Sequence, residues 1–228
     1  MKKFTSSLIA AIFMTASVVA MAAGHREDIH ASADQVQPLL AGMKAPDFVV
    51  RDVKGEVFSF DGGELRKPVV LTFFRGGWCP YCNLHLSEMR MAEKQLKEMG
   101  FNIWFISIDK PELLLESLAD PDIGYTIYSD SSLQATRAFG IAFHVNDEMN
   151  QRFLSYGIDL EKASGENHHV LPAPATYIIG ADGIINFAYI NPDYKIRLHP
   201  DVLLAAANAY NEDADKRLKQ KRKLAMKK

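Results

Sequence analysis

Cysteine is scarce in this chain: among 228 residues there are only Cys79 and Cys82. With no second cysteine pair, a zinc site built on paired Cys-x-x-Cys units is excluded. His144, His168 and His169 match the spacing of no closed metal site, and no cofactor motif is found, so neither metal nor cofactor is expected. No cysteine stands directly behind the apolar stretch Leu8–Ala20, which excludes a lipid-anchored start. That stretch is also too short for a comfortable membrane span. Met1-Lys2-Lys3 precedes it and Ala20-Met21-Ala22 follows, so residues 1–22 are expected to be a cleaved signal peptide. The expectation is a periplasmic protein with no stable membrane span once the signal is removed. Acid is absent from Lys216 to Lys228; this basic tail, residues 213–228, fits a solvated helix end, and no nucleic-acid partner is expected. Repeats and low-complexity runs are missing too. What is present is an ordinary globular composition, 48% apolar and 24% charged with a net charge of −2, enough for one domain with a real core.

The hydrophobic pattern gives an α/β order. Val49-Val50 and Val57–Phe60, on either side of Lys54-Gly55, form a predicted hairpin. Val69–Phe74 and Ile103–Ile108 are continuous apolar runs that suit buried strands. Between them, Cys82, His85, Met89, Ala92, Leu96 and Met99 recur at steps of three and four, a helical stripe that Gly100 ends. A short helix over Pro111–Leu118, a strand at Tyr125–Tyr128 and a helix capped by Asp130 or Ser131 and stopped at Gly140 follow. Thr176–Ile179 and Ile184–Tyr189 flank Asp182-Gly183, a strong hairpin signal. Pro200 opens a last helix through Tyr210 toward the tail. The segment 142–173 offers only a helix near Glu148–Tyr156 and a loop at Ser164-Gly165.

The chemistry lies in Trp78-Cys79-Pro80-Tyr81-Cys82. Two thiols at this spacing close a small ring, and a short ring is a poor staple because stabilisation grows with loop length. It is better suited to a reversible switch. Pro80 fits the first helical position, which puts Cys79 at the helix N-terminus, where unpaired N–H groups and the helix dipole favour a thiolate. Cys79 is the candidate nucleophile; Cys82, one turn on and facing inward, is the candidate resolving thiol. Arg75 either depresses a thiol pKa or orients an anionic group, or else is an exposed loop arginine. Gly76-Gly77 allows close backbone approach, and Trp78 is a candidate apolar rim for a substrate. His85 shares the inward stripe with Cys82 and fits a core histidine better than a proton carrier.

These residues resemble the thioredoxin superfamily. Phe74–Cys82 is similar to its strand–WCxxC–helix signature, and Pro174-Ala175-Thr176-Tyr177-Ile178-Ile179 to its second signature. The resemblance implies a thioredoxin-like fold, a central mixed sheet flanked by helices, and a cis Pro174 beside Cys79 that helps hold substrate. Gly42-Met43-Lys44-Ala45-Pro46-Asp47-Phe48, Arg137–Ile141 and Asp182-Gly183 narrow the resemblance to the redoxins of the alkyl hydroperoxide reductase/thiol-specific antioxidant family, as a peroxiredoxin-like chain with a CxxC. A lead-in over 23–41 and a redoxin domain over 42–212 follow. With Cys82 in the peroxidatic position of the family's P-x-x-x-T-x-x-C motif, Arg75 stands for the proline and Cys79 for the threonine. Another register puts Cys79 in the peroxidatic position, which suits Cys-Pro but again lacks the threonine. The family's later arginine has no counterpart before the final strand pair. The buried carboxylate of thioredoxin falls at Phe73. The resemblance therefore implies an exported thiol–disulfide oxidoreductase acting on protein or small-molecule thiols and disulfides with a redox partner protein. The alternative is a thiol peroxidase reducing hydroperoxides.

Overall fold

In the computed structural model the residues described are 26–63, 65–117 and 124–225; the expected signal peptide lies outside them. Nine strands and six α-helices are found among them. The strands are β1 (Phe48–Asp52), β2 (Val57–Phe60), β3 (Val69–Phe74), β4 (Asn102–Ser107), β5 (Thr126–Ser129), β6 (Ala142–His144), β7 (Val170–Pro172), β8 (Ala175–Ile179) and β9 (Ile185–Ile190). The helices are α1 (Pro80–Glu98), α2 (Pro111–Ser117), α3 (Gln134–Ala138), α4 (Asp147–Ser155), α5 (Leu160–Ser164) and α6 (Pro200–Ala225). The main sheet has the order β2-β1-β5-β4-β3-β8-β9. Its three middle strands β5, β4 and β3 run parallel, and antiparallel pairs lie on both sides. This is the mixed α/β sheet expected, with the β1–β2 hairpin joined to one edge through β5.

β3 is buried along its whole length because both faces of the sheet are covered. Its side chains alternate between two cores. Val69, Leu71 and Phe73 join Phe139, Ile141 and Tyr177 on one face. Val70 and Phe74 meet Met89, Ala92 and Leu96 of α1 and Leu203 and Ala207 of α6 on the other. The inward stripe of α1 is as the spacing predicts: Cys82, His85, Met89, Ala92 and Leu96 are all buried.

Asp130 caps α3, as the sequence predicts: its buried carboxylate accepts the backbone N–H groups of Ala135 and Thr136 at 3.0 and 2.7 Å, reaching past Leu133, which precedes the helix at φ 63°. Two expectations are corrected. Residues 142–173 are more regular than their sequence pattern: β6 and β7 form a separate two-stranded sheet, with α4 and α5 between them. Finally, no cis peptide bond occurs among the described residues, so Pro174 is trans. The chain passes from β7 to β8 in two residues, with Ala173 N–H bonded to the Ile141 carbonyl. It makes no tight turn there, the usual setting of a cis bond. The tail expected over 213–228 is helical to Ala225, as the end of α6.

Candidate active site at the entrance of α1

Strand register assembles the site. β3 pairs with β4 in parallel, Phe74 opposite Ser107, so the residues leaving both strands emerge side by side. These are Arg75-Gly76-Gly77 from β3 and Asp109 from β4. β8 pairs with β3 antiparallel, Phe73 opposite Ala175, which brings Pro174 to the same end. The carboxyl ends of parallel strands are where α/β sheets place ligands.

Cys79 is the N-cap of α1 and Pro80 its first residue. The backbone N–H groups of Cys82 and Asn83 donate to the Cys79 carbonyl. The two thiols are free and behave oppositely. A hydrogen bond from the Cys82 thiol, with help from the Arg75 and Arg197 charges, pulls the Cys79 pKa down to about 6, against the penalty of burial. Burial, followed by the hydrogen bond to Cys79, pushes Cys82 well above an ordinary thiol. Both are enclosed, Cys79 at 2% exposure and Cys82 at 0%.

Arg75 is a buried residue at 3% exposure, not an exposed loop arginine. Its guanidinium lies over the rings of Tyr194 at 3.9 Å and of Trp78 and Phe153 at 5.2 Å each. Each such contact is worth roughly 0.5–2 kcal/mol. Trp78 is half-buried, packs on Phe153 with ring centroids 5.6 Å apart, and donates from Nε1 to Asp109 at 3.1 Å. Pro174 lines a groove with Arg75 and a small cavity with His85 and Arg197.

Two residues of the site were missed in the sequence. Arg197, in the loop between β9 and α6, donates from Nη2 to Cys82 Sγ at 3.2 Å and from Nε to the Tyr194 carbonyl at 2.7 Å. A cation is thus delivered to the thiols from beyond the final strand pair. Asp109 is 1% exposed. Its carboxylate accepts Gly77 N–H at 2.7 Å as well as the Trp78 indole. Burial, first, and the neighbouring Cys82 charge raise its pKa to about 7. The need for Gly76 is steric: a Cβ there would lie 2.7 Å from Asp109 Oδ1 and 2.2 Å from Trp78 Nε1. The backbone approach that Gly76-Gly77 permits is to this carboxylate.

His85 is a core histidine. Burial, then the Arg197 charge, lowers its pKa to about 4. Its folded value lies below the unfolded one of about 6.5, so the stability it contributes is complete above pH 6.5 and lost as pH falls toward 4. Asp109 and Asp130, with raised pKa values, act with the opposite sign in that window. The measurement is therefore a difference: urea unfolding of wild type against His85→Leu. The wild-type margin is expected to shrink by about 3 kcal/mol between pH 7 and pH 4. No group of three or more His, Cys, Asp or Glu among the described residues is placed to hold a metal, and no described helix is long and apolar enough to cross a membrane.

A Cys-x-x-Cys pair at a helix entrance, fed by a buried parallel strand and faced by an antiparallel hairpin, defines a thioredoxin-like redox protein. A family model described as the AhpC/TSA family matches residues 41–188, and the chain belongs to that family. Peroxiredoxin Bcp of Escherichia coli is 27% identical over 169 residues, covering 74% of this chain and 96% of that protein. Thiol-disulfide oxidoreductase ResA of Halalkalibacterium halodurans is 31% identical over 102 residues, 44% of this chain, and the match spans only 57% of that relative's length. Among solved structures, peroxidoxin BcpB from Mycobacterium tuberculosis superposes with a TM-score of 0.57 at 19% identity, over 74% of this chain and 96% of that one. Peroxiredoxin Q of Xanthomonas campestris gives 0.57 at 18% identity, over 75% and 98%. At these identities the two structures establish the fold alone.

Proposed function

We propose that the chain is an exported thiol–disulfide oxidoreductase, with Cys79 as nucleophile and Cys82 as resolving thiol. The observation that carries this is the divergence of the two thiols: Cys79 at about 6 and Cys82 well above an ordinary thiol. Cys79 thiolate attacks one sulfur of a substrate disulfide, whose bond breaks to release the first substrate thiolate. Cys82 then gives up its proton and attacks Cys79 Sγ, closing the Cys79–Cys82 disulfide and expelling the second. The substrate gains two electrons and the dithiol loses them; the reverse sequence oxidises a dithiol substrate.

A pKa near 6 leaves Cys79 about nine-tenths ionised at pH 7, against a few per cent for an ordinary cysteine. Part of that gain is returned, because nucleophilicity falls with pKa. The division of labour therefore rests on the difference between the thiols more than on the absolute value. Asp109 is the acceptor available for the Cys82 proton. At 2% exposure, Cys79 meets a protein disulfide only through local opening at the helix entrance.

That same burial favours one other reading, a thiol peroxidase. A hydroperoxide is small, and Arg75 and Arg197 supply positive charge. Cys79 thiolate would attack the peroxide oxygen, release an alcohol and form a sulfenic acid, and Cys82 would displace water to close the disulfide. Against it, with Cys79 as the attacking sulfur the family's P-x-x-x-T-x-x-C motif has Gly76 where its threonine would stand. Stopped-flow mixing of the reduced protein with hydrogen peroxide, and in parallel with a peptide disulfide, separates the two. Slow peroxide oxidation at the pace of a free thiol is expected, with fast peptide-disulfide exchange; fast, saturating peroxide oxidation would reverse the assignment.

A further inference from the structure

Beside the dithiol runs an open groove of about 330 Å³. Its walls come from four places: the lead-in residues Ala31–Ala33, Phe143 with Val145, Met149 and Phe153 of α4, and the loop Pro192–Lys195. Arg75 also lines it. Its Nε is buried and without a hydrogen-bond partner, and no carboxylate forms an ion pair with it among the described residues. Asp193, the acid in the lining, spends one oxygen on the backbone N–H of Lys195 in its own loop, at 3.0 Å. Aromatic faces take the place of a counter-ion around Arg75, which leaves a desolvated cation facing an apolar groove. The apolar surface continues out of the groove: Tyr194 meets Tyr81 with ring centroids 5.6 Å apart, and Tyr81 and Leu84, on the first turns of α1, are 41% and 59% exposed. Exposed apolar residues next to a buried reactive pair mark a surface for a macromolecule.

We propose that this groove docks a peptide segment of the protein substrate in which an acidic side chain lies next to a large apolar one. The carboxylate seats on Arg75 and the apolar side chain lies among Phe143, Val145 and Met149. The inference deepens the reading of the chain as an oxidoreductase acting on proteins, and rests on it. Charge complementarity selects the acid: Arg75 and Lys195 face the groove, and a bidentate guanidinium–carboxylate pair is stronger and more directional than a neutral hydrogen bond.

The test separates binding from chemistry. Calorimetric titration of the full chain carrying Cys79→Ser and Cys82→Ser uses a synthetic peptide with glutamate beside phenylalanine and serine in place of cysteine, and its glutamine counterpart. The glutamate peptide is expected to bind about tenfold more tightly. Arg75→Gln brings the two peptides to parity, and Arg75→Lys restores part of the preference. Met149→Glu, at a position 38% exposed, places a like charge on the wall without touching the thiols. It is expected to weaken the glutamate peptide more than the glutamine one. Equal affinities for the two peptides, no binding, or a preference that survives both Arg75→Gln and Met149→Glu would overturn the proposal. A protein that exchanges glutamate and glutamine peptide disulfides equally well keeps its oxidoreductase activity and loses this site. One that binds with preference yet exchanges neither keeps the site and loses the activity.

Discussion

Replacing Cys79 with serine is expected to abolish disulfide exchange, while replacing Cys82 leaves the first step intact and stops the second. The asymmetry follows from geometry. Cys79 is the helix N-cap, where its sulfur takes hydrogen bonds from the Cys82 thiol and backbone N–H and feels both arginines. A serine hydroxyl there does not ionise near neutrality, so turnover of a peptide disulfide drops to the uncatalysed background. With Cys82→Ser, a hydroxyl takes the place of the thiol that donates to Cys79, so the thiolate keeps a side-chain donor. It remains next to Arg75, so it still attacks, more slowly at pH 6 than at pH 8. The mixed disulfide then has no internal thiol to displace it. Intact-mass spectrometry of the quenched reaction is expected to show one peptide adduct per chain for Cys82→Ser and none for Cys79→Ser. Full turnover by Cys79→Ser, or stable adducts on Cys82 in that variant, would reverse the two roles.

What was legible in the sequence was what obeys a period. The buried strand Val69–Phe74 and the inward stripe from Cys82 to Leu96 are written in apolar spacing, and the structure has both. The Asp182-Gly183 hairpin carries its own turn chemistry, and β8 and β9 pair across it. β6 and β7 are three residues each, too short to show alternation, and so their sheet was not visible. Arg197 and Asp109 were hidden for a different reason. Arg197 meets Cys82 across 115 positions, and Asp109 meets Gly77 across 32. Nothing local distinguishes either residue: one sits in a Pro-Asp-Tyr loop, the other just after an apolar run. Their positions follow from strand register and from the return of the chain after β9, which local pattern does not encode. Gly76-Gly77 was the one local trace of Asp109, an allowance for close approach whose partner could not be named. Pro174 comes to the same end of the sheet as the dithiol, but as a trans and not the cis proline that the resemblance implies, in the extended link between β7 and β8.

Asp109 carries the second large effect. The site needs a base for Cys82, whose pKa is driven up by burial, and the strand position used by thioredoxin holds Phe73. Asp109 reaches the same end of the sheet from β4. Its own pKa near 7 makes it able both to accept a proton and to return it at neutral pH, the condition for effective general acid–base catalysis. Asp109→Asn keeps the shape and one acceptor oxygen for Gly77 N–H or the Trp78 indole, so the loop before Cys79 is held. The charge that would take the proton is gone. The resolving step is expected to slow about a hundredfold, with the mixed disulfide accumulating as in Cys82→Ser, while formation of that adduct proceeds at close to the wild-type rate. The sign of the pH dependence is specific. Asp109 must be ionised to act, so wild-type resolution rises as pH increases through about 7. The variant lacks that step, and resolution in it climbs only in alkali, where Cys82 ionises unaided. Rapid quench with mass detection of the adduct at several pH values reads both limbs. A merely structural role would slow both steps together and leave the pH midpoint in place. Asp109→Ala, which removes both hydrogen bonds, provides that comparison: it is expected to slow adduct formation as well, because Trp78 and the chain leading into Cys79 are then no longer anchored.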